Sequence, residues 1–146
     1  MASDPFDLER FVQAQQGVYD TAVQELRAGR KRSHWIWFIF PQVAGLGMSA
    51  TSRRYSLTGL EEARAYLAHP LLGPRLREAV TALLDQRAGA SAVLGELDAL
   101  KFRSSMTLFA LADPAEPIFT RALERFFGGE ADPRTRELLN APDPGS

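Results

Sequence analysis

An all-α fold, a compact multihelical single domain with one or two buried central helices, is predicted by three observations. Apolar residues recur every three to four positions through most of the 146-residue chain, which is the period of a helix and not of a strand. Most of these runs open on a capping residue and stop at glycine or proline. Two further runs, Trp35 to Phe40 and Leu100 to Leu111, are apolar over most of their circumference and require burial behind the amphipathic ones. The 45% hydrophobic content is enough for the core of one domain, read over residues 1–139, with a disordered tail over 140–146.

The first helix is entered at Asp4 and Pro5, with Asp7 in its first turn, because proline tolerates that turn and carboxylates favour the positive end of the dipole. Leu8, Phe11, Val12 and Gln15 follow at helical spacing. Beyond Gly17 the period continues through Ala22, Val23 and Leu26 to a stop at Gly29, as one bent helix or as two. Periodicity does not separate a strand from a helix in Trp35 to Phe40. The lack of a strand partner elsewhere favours a short buried helix, capped by Ser33 and ended before Pro41.

Pro41 to Tyr55 is the least regular stretch, long enough to be a functional loop or a disordered one. Thr58 to Glu61 reads as a capping box opening a helix that ends near His69 and Pro70. Leu76, Ala79, Val80, Leu83 and Leu84 then form one helical face. Asp98 caps the buried helix that spans Leu100 to Leu111. Asp113, Pro114 and Glu116 repeat the cap, proline and carboxylate pattern before Ile118, Phe119, Ala122, Leu123, Phe126 and Phe127, and Gly128 stops that run. Asp132 and Pro133 start a last short helix.

The formal net charge of −1 hides an asymmetry. Leu26 to Leu60 holds six of the 17 Lys and Arg and none of the 18 acids. A local basic patch on a mildly acidic body fits a small anionic ligand or a short acidic epitope; an overall basic balance would have pointed to nucleic acid, which is not the expected partner. The absence of cysteine excludes a disulfide, a thiol nucleophile and a thiolate metal site. The acidic N-terminus MASDPFDLERF is unlike a signal peptide, and no apolar stretch approaches the roughly 18 residues of a spanning helix. A cytoplasmic protein without membrane association is therefore expected, its oligomeric state open.

Candidate site residues come from three segments. Arg30 and Lys31 lead into His34, Trp35 and Trp37, where the imidazole is the candidate for catalysis and the indoles for stacking, although aromatic residues in such a run more often form core. The next segment offers Gln42, the hydroxyls of Ser49 and Tyr55, and the forked donors of Arg53, without the strand or lysine of a phosphate-binding loop. In LKFRSSMTLF (Leu100 to Phe109), Lys101, Ser104 and Ser105 share one stripe and Arg103 shares another with Thr107. Cations on a buried helix must reach solvent, a carboxylate or an anionic ligand. Arg30, Lys31, His34, Gln42, Arg53, Lys101 and Arg103 are thus expected to converge on one cleft, and Ser105 is a further ligand-binding candidate. His34 and His69 are the only histidines and neither has a carboxylate at ligand spacing, so no metal or cofactor is expected.

LERFVQAQ (Leu8 to Gln15), AGRKRSHWIWFIFPQ (Ala28 to Gln42), GLGMS (Gly45 to Ser49), YLAHPLLGPRL (Tyr66 to Leu76) and LKFRSSMTLF together resemble the bacterial domain of unknown function 1810 family. The resemblance covers nearly the whole chain and implies a multihelical domain with buried central helices; it implies no activity. A shorter pattern, Glu9, Phe11, Ala14 and Gln15, then Gly29, Arg30 and Trp35, is similar to NADAR-type helical N-glycosidases. That resemblance implies action on ADP-ribose-like or phosphoribosyl compounds, with Glu9 as catalytic carboxylate, Trp35 or Trp37 stacking, and Arg30 and Lys31 on phosphate. Three readings stand together: a site for a phosphorylated or nucleotide-like ligand, an N-glycosidase or hydrolase, and an interaction module docking on an acidic partner or nucleic acid.

Overall fold

The computed structural model describes residues 4–140, over which ten helices and no strand form. The N-terminal pattern resolves into two helices, α1 (Glu9–Gln15) and α2 (Tyr19–Ala28), because Gly17 takes φ +71° and breaks the path between them. Asp4 receives the backbone N–H groups of Leu8 and Glu9 at 2.8 and 3.0 Å, so it caps from outside the helix that it was read as opening. Gly29 closes α2 with φ +80°, in keeping with the stop signal.

Trp35 to Phe40 holds one helical turn, α3 (Ile36–Ile39). Its entry differs from expectation: the Ser33 hydroxyl donates to Glu25 instead of capping α3. The irregular stretch after Pro41 contains a second single turn, α4 (Ala50–Arg54), whose first amides are capped when Ser49 Oγ accepts from Ser52 N at 3.1 Å. An isolated parallel bridge between Val43 and Leu57 ties the two ends of this stretch.

The Thr58 capping box is displaced by one residue. α5 (Leu60–Ala68) is preceded by Gly59, and it is Glu62, not Glu61, whose Oε1 accepts from Thr58 N at 2.9 Å and Thr58 Oγ1 at 3.0 Å. The other Glu62 oxygen takes Arg10 Nη2 at 2.9 Å in a buried pair. Four backbone carbonyls complete the Arg10 guanidinium, which offsets the cost of burying it.

α6 (Leu72–Leu84) is followed by α7 (Ala90–Leu94), a turn too short to show a period, and by α8 (Glu96–Ala112). The longest helix, α8, is the central one, contacting α3, α5, α7, α9 (Pro117–Phe127) and α10 (Pro133–Leu139). Phe102 meets Phe40 edge to face at 4.8 Å, and Phe109 meets Phe119 at 5.5 Å, so α8 is pinned by aromatic contacts at two levels along its length. Each such ring, fully buried, contributes about 1.5–3 kcal/mol. α8 begins before Asp98, which therefore lies in the first turn with its carboxylate free for other partners.

Glu116 directly precedes α9 and forms a bidentate pair with Arg77 at 2.6 and 3.0 Å, so the expected third-position carboxylate is instead an anchor to α6. Gly128 ends α9 and Asp132 caps α10 through Thr135 N at 2.8 Å, as the signals indicate. Residues 141–146, most of the expected tail, lie outside the described residues. No helix among the described residues is long and apolar enough to cross a membrane.

Candidate functional site

Glu25, one residue before the acid-free window, organises its first half. One carboxylate oxygen accepts from Arg32 N (2.7 Å), Ser33 N (3.0 Å) and Trp35 Nε1 (2.9 Å), and the other from Ser33 Oγ (2.6 Å). Burial by itself would raise the Glu25 pKa. The donors together, led by the Ser33 hydroxyl, outweigh it and hold the carboxyl at about 2. The loop from Arg30 to Trp35 is therefore folded around an anion supplied by the preceding helix.

This arrangement turns Lys31 inward. Its ammonium is 7% exposed and lies 2.8 Å from Asp98 Oδ2, donates to Ser33 O at 2.6 Å, and sits 5.0 Å from the Trp35 ring centroid. Lys101, one turn after Asp98 on α8, approaches the other carboxylate oxygen at 3.4 Å and remains 40% exposed. Lys31, Asp98 and Lys101, with His34, Trp37, Thr51, Ile36 and Phe38, line one cleft of about 180 Å³. Its lining joins apolar Ile36, Trp37 and Phe38 to two ammonium groups and one carboxylate, and the exposed His34 imidazole stands beside them.

Gly47 fits the loop to this wall. A Cβ there would stand 2.4 Å from Ser52 Cβ and 3.0 Å from the edge of the Trp37 ring, so only glycine lets residues 45–49 close over the indole. Gln15, buried on α1, donates to the Phe38 carbonyl at 2.8 Å and thereby fixes the turn that presents Trp37 and Phe38.

Of the site candidates, the structure brings Lys31, His34, Trp37 and Lys101 together in this cleft and places the others elsewhere. Trp35 is 1% exposed and belongs to the core. Gln42 is equally buried, with its side-chain amide donating toward the Phe40 carbonyl at 3.4 Å and its backbone carbonyl accepting from Leu57 N. Ser49 is consumed as the α4 cap, and Tyr55 packs edge-on against Phe11 and Phe38. Arg103 points to the far side of α8, where it donates to the Glu130 and Ala131 carbonyls at 2.8 and 2.9 Å; Thr107 on the same stripe accepts from Asp132 N. Ser105 Oγ is fully buried and has no hydrogen-bond partner among the described residues.

Arg30 and Arg53 are exposed and form no ion pair among the described residues. Glu9 lines a different cavity, with Asp4, Phe6, His69 and Pro70, so the carboxylate implied by the N-glycosidase resemblance is not brought to the tryptophans. His69 Nδ1 accepts from Leu71 and Leu72 N–H groups and serves to open α6.

Four lining residues, Ile36, Phe38, Thr51 and Asp98, are not among the site candidates expected from sequence, where Asp98 is only a helix cap. Thr51 gives no signal. Asp98 gives one in retrospect: an inward lysine in a window with no acids needs a carboxylate from elsewhere.

A family model described as "Protein of unknown function (DUF1810)" matches residues 5–139. The crystal structure of a conserved hypothetical protein from Mycobacterium tuberculosis, Rv1873, is similar with a TM-score of 0.92 and 51% sequence identity, covering 95% of this chain and 100% of that one. No curated protein matches.

Proposed function

The chain belongs to this family of proteins of unknown function, so we propose a function from its own cleft: binding of a small anionic ligand, phosphorylated or nucleotide-like, between the Lys31 to His34 loop and the first turns of α8. The observation that carries this reading is the meeting of Lys31 and Lys101, 70 positions apart in sequence, on one carboxylate beside Trp37. Lys31 is fixed by Asp98 and Ser33. Lys101 has a single long contact and keeps donors for an incoming anion. The imidazole of His34 and the hydroxyl of Thr51 add further donors, and Trp37 offers a flat apolar wall.

Arg30 and Arg53, exposed on either side of this segment in sequence, raise the local positive potential and speed the approach of an anion. Binding, not turnover, is the core of the proposal, because Glu9 lies in another cavity. A cytoplasmic setting belongs to the same proposal.

A melting screen against phosphate, nucleotides and sugar phosphates tests it. A ligand at about a hundred times its dissociation constant adds roughly 2.7 kcal/mol to stability. Lys101→Gln should abolish the shift while leaving the ligand-free melting temperature within a few degrees. A shift that survives in Lys101→Gln, or no shift with any of these anions, would sink the proposal.

A further inference from the structure

Asp98 balances the inward Lys31, but in a cleft that serves only to hold an anion its charge also repels the group that the lysines attract. We infer that the ligand is a polyhydroxylated phosphate monoester of single-ring size, a sugar phosphate, whose phosphate faces Lys101 and His34 and whose adjacent hydroxyls donate to Asp98. This inference rests on the anion-binding reading and narrows it to a substrate class.

The geometry divides the cleft into two halves. Lys31 is committed: its charge is matched by Asp98 at 2.8 Å and a second donor is spent on Ser33 O. Lys101 and His34 are the groups with donors to spare, and both are more open to solvent than Lys31. They form the phosphate side.

Asp98 forms the other side. Each lysine engages a different oxygen, Oδ2 for Lys31 and Oδ1 for Lys101, so neither oxygen is saturated. A carboxylate oxygen accepts two hydrogen bonds, leaving one acceptor position on each. Two acceptor positions on one planar group suit two neighbouring hydroxyls. The carboxylate remains 19% exposed, toward the cleft that it lines.

Trp37, Ile36 and Phe38 supply the third element, an apolar wall onto which the C–H face of a sugar ring packs. The volume, about 180 Å³, lies below the roughly 300–1,000 Å³ of pockets that enclose drug-sized ligands. A single ring with one phosphate fits that scale, and a dinucleotide or an intact ADP-ribose does not.

Titration calorimetry of the full chain with three probes at one pH and ionic strength tests this: ethyl phosphate, ribose 5-phosphate and 2-deoxyribose 5-phosphate. Ribose 5-phosphate should bind at least about tenfold more tightly than ethyl phosphate, as expected when charge-assisted hydrogen bonds are added, and the deoxy sugar should lose several-fold. In Asp98→Asn the preference should collapse from both ends, with ethyl phosphate binding more tightly and ribose 5-phosphate more weakly. The three probes on the unmodified protein decide the matter even if that variant folds poorly. Equal affinity for ethyl phosphate and ribose 5-phosphate would overturn the sugar inference while leaving an anion site. No binding of any phosphorylated probe would overturn the anion reading as well.

Discussion

The indole of Trp35 donates to Glu25 at 2.9 Å, and this contact separates the roles of the two tryptophans. Trp35 directly precedes the α3 turn and Trp37 lies within it, so the two indoles leave the backbone in different settings. With Trp35 drawn inward to Glu25, Trp37 faces the cleft. The same carboxylate holds the loop that turns Lys31 toward Asp98, so the cleft depends on a residue that does not line it.

Glu25→Ala removes the acceptor for four donors, two of which belong to Ser33 and one to the buried Trp35. It should cost about 2–3 kcal/mol in urea unfolding, because donors to a charged group lose more than a neutral hydrogen bond.

The same residue sets an acid limit. Its carboxyl sits at about 2 in the fold against an ordinary 4.5, so between those values the unfolded chain binds more protons than the folded one. Stabilisation is complete above about pH 5 and is lost as pH falls toward 2. About 2 kcal/mol should disappear across that window, allowing for solvent screening of a partly exposed group. Glu25→Gln should flatten this part of the curve of unfolding free energy against pH.

Arg103 and Lys101 should behave oppositely although they are two residues apart. Arg103→Ala releases the carbonyls of Glu130 and Ala131 and so loosens the segment before α10. A loss of about 1–3 kcal/mol in stability is expected, with anion affinity unchanged in calorimetry.

Ser105→Ala should be neutral or stabilising by up to about 1 kcal/mol, because the hydroxyl is buried without a hydrogen-bond partner among the described residues. A marked loss of stability in thermal unfolding would mean that the hydroxyl has a role that the packing does not reveal.

Gly47→Ala drives a methyl group into Ser52 and the Trp37 ring. Stability should fall by about 1–3 kcal/mol, and ligand affinity should fall with it, because the displaced indole is a wall of the cleft. Gly59→Ala, where an added Cβ meets nothing, is the control.

The helical architecture was legible because the apolar period is sustained in long elements such as α6 and α9, and because α8 is apolar over a length that only a buried helix explains. The single turns α4 and α7 were not, since five residues show no period, and α3 was reached only through the lack of a strand partner. Cap positions slipped where two candidates were adjacent: Glu61 and Glu62 both follow Thr58, and only the tertiary partner Arg10 selects the second. For the cleft, charge located the right segments but not the direction of each side chain. Lys101 and Arg103 are indistinguishable by type, yet positions two apart on α8 face opposite sides, one toward Asp98 and one toward Glu130.

The central claim is that an anion binds beside Trp37. With only two tryptophans in the chain, the two indole N–H resonances in a nitrogen–proton correlation spectrum report on it directly during titration with ribose 5-phosphate. The Trp37 signal should move in a saturable way while the Trp35 signal, held by Glu25, stays in place, and Lys101→Gln should remove the response. Two stationary signals at millimolar ligand, or movement of Trp35 alone, would contradict the account.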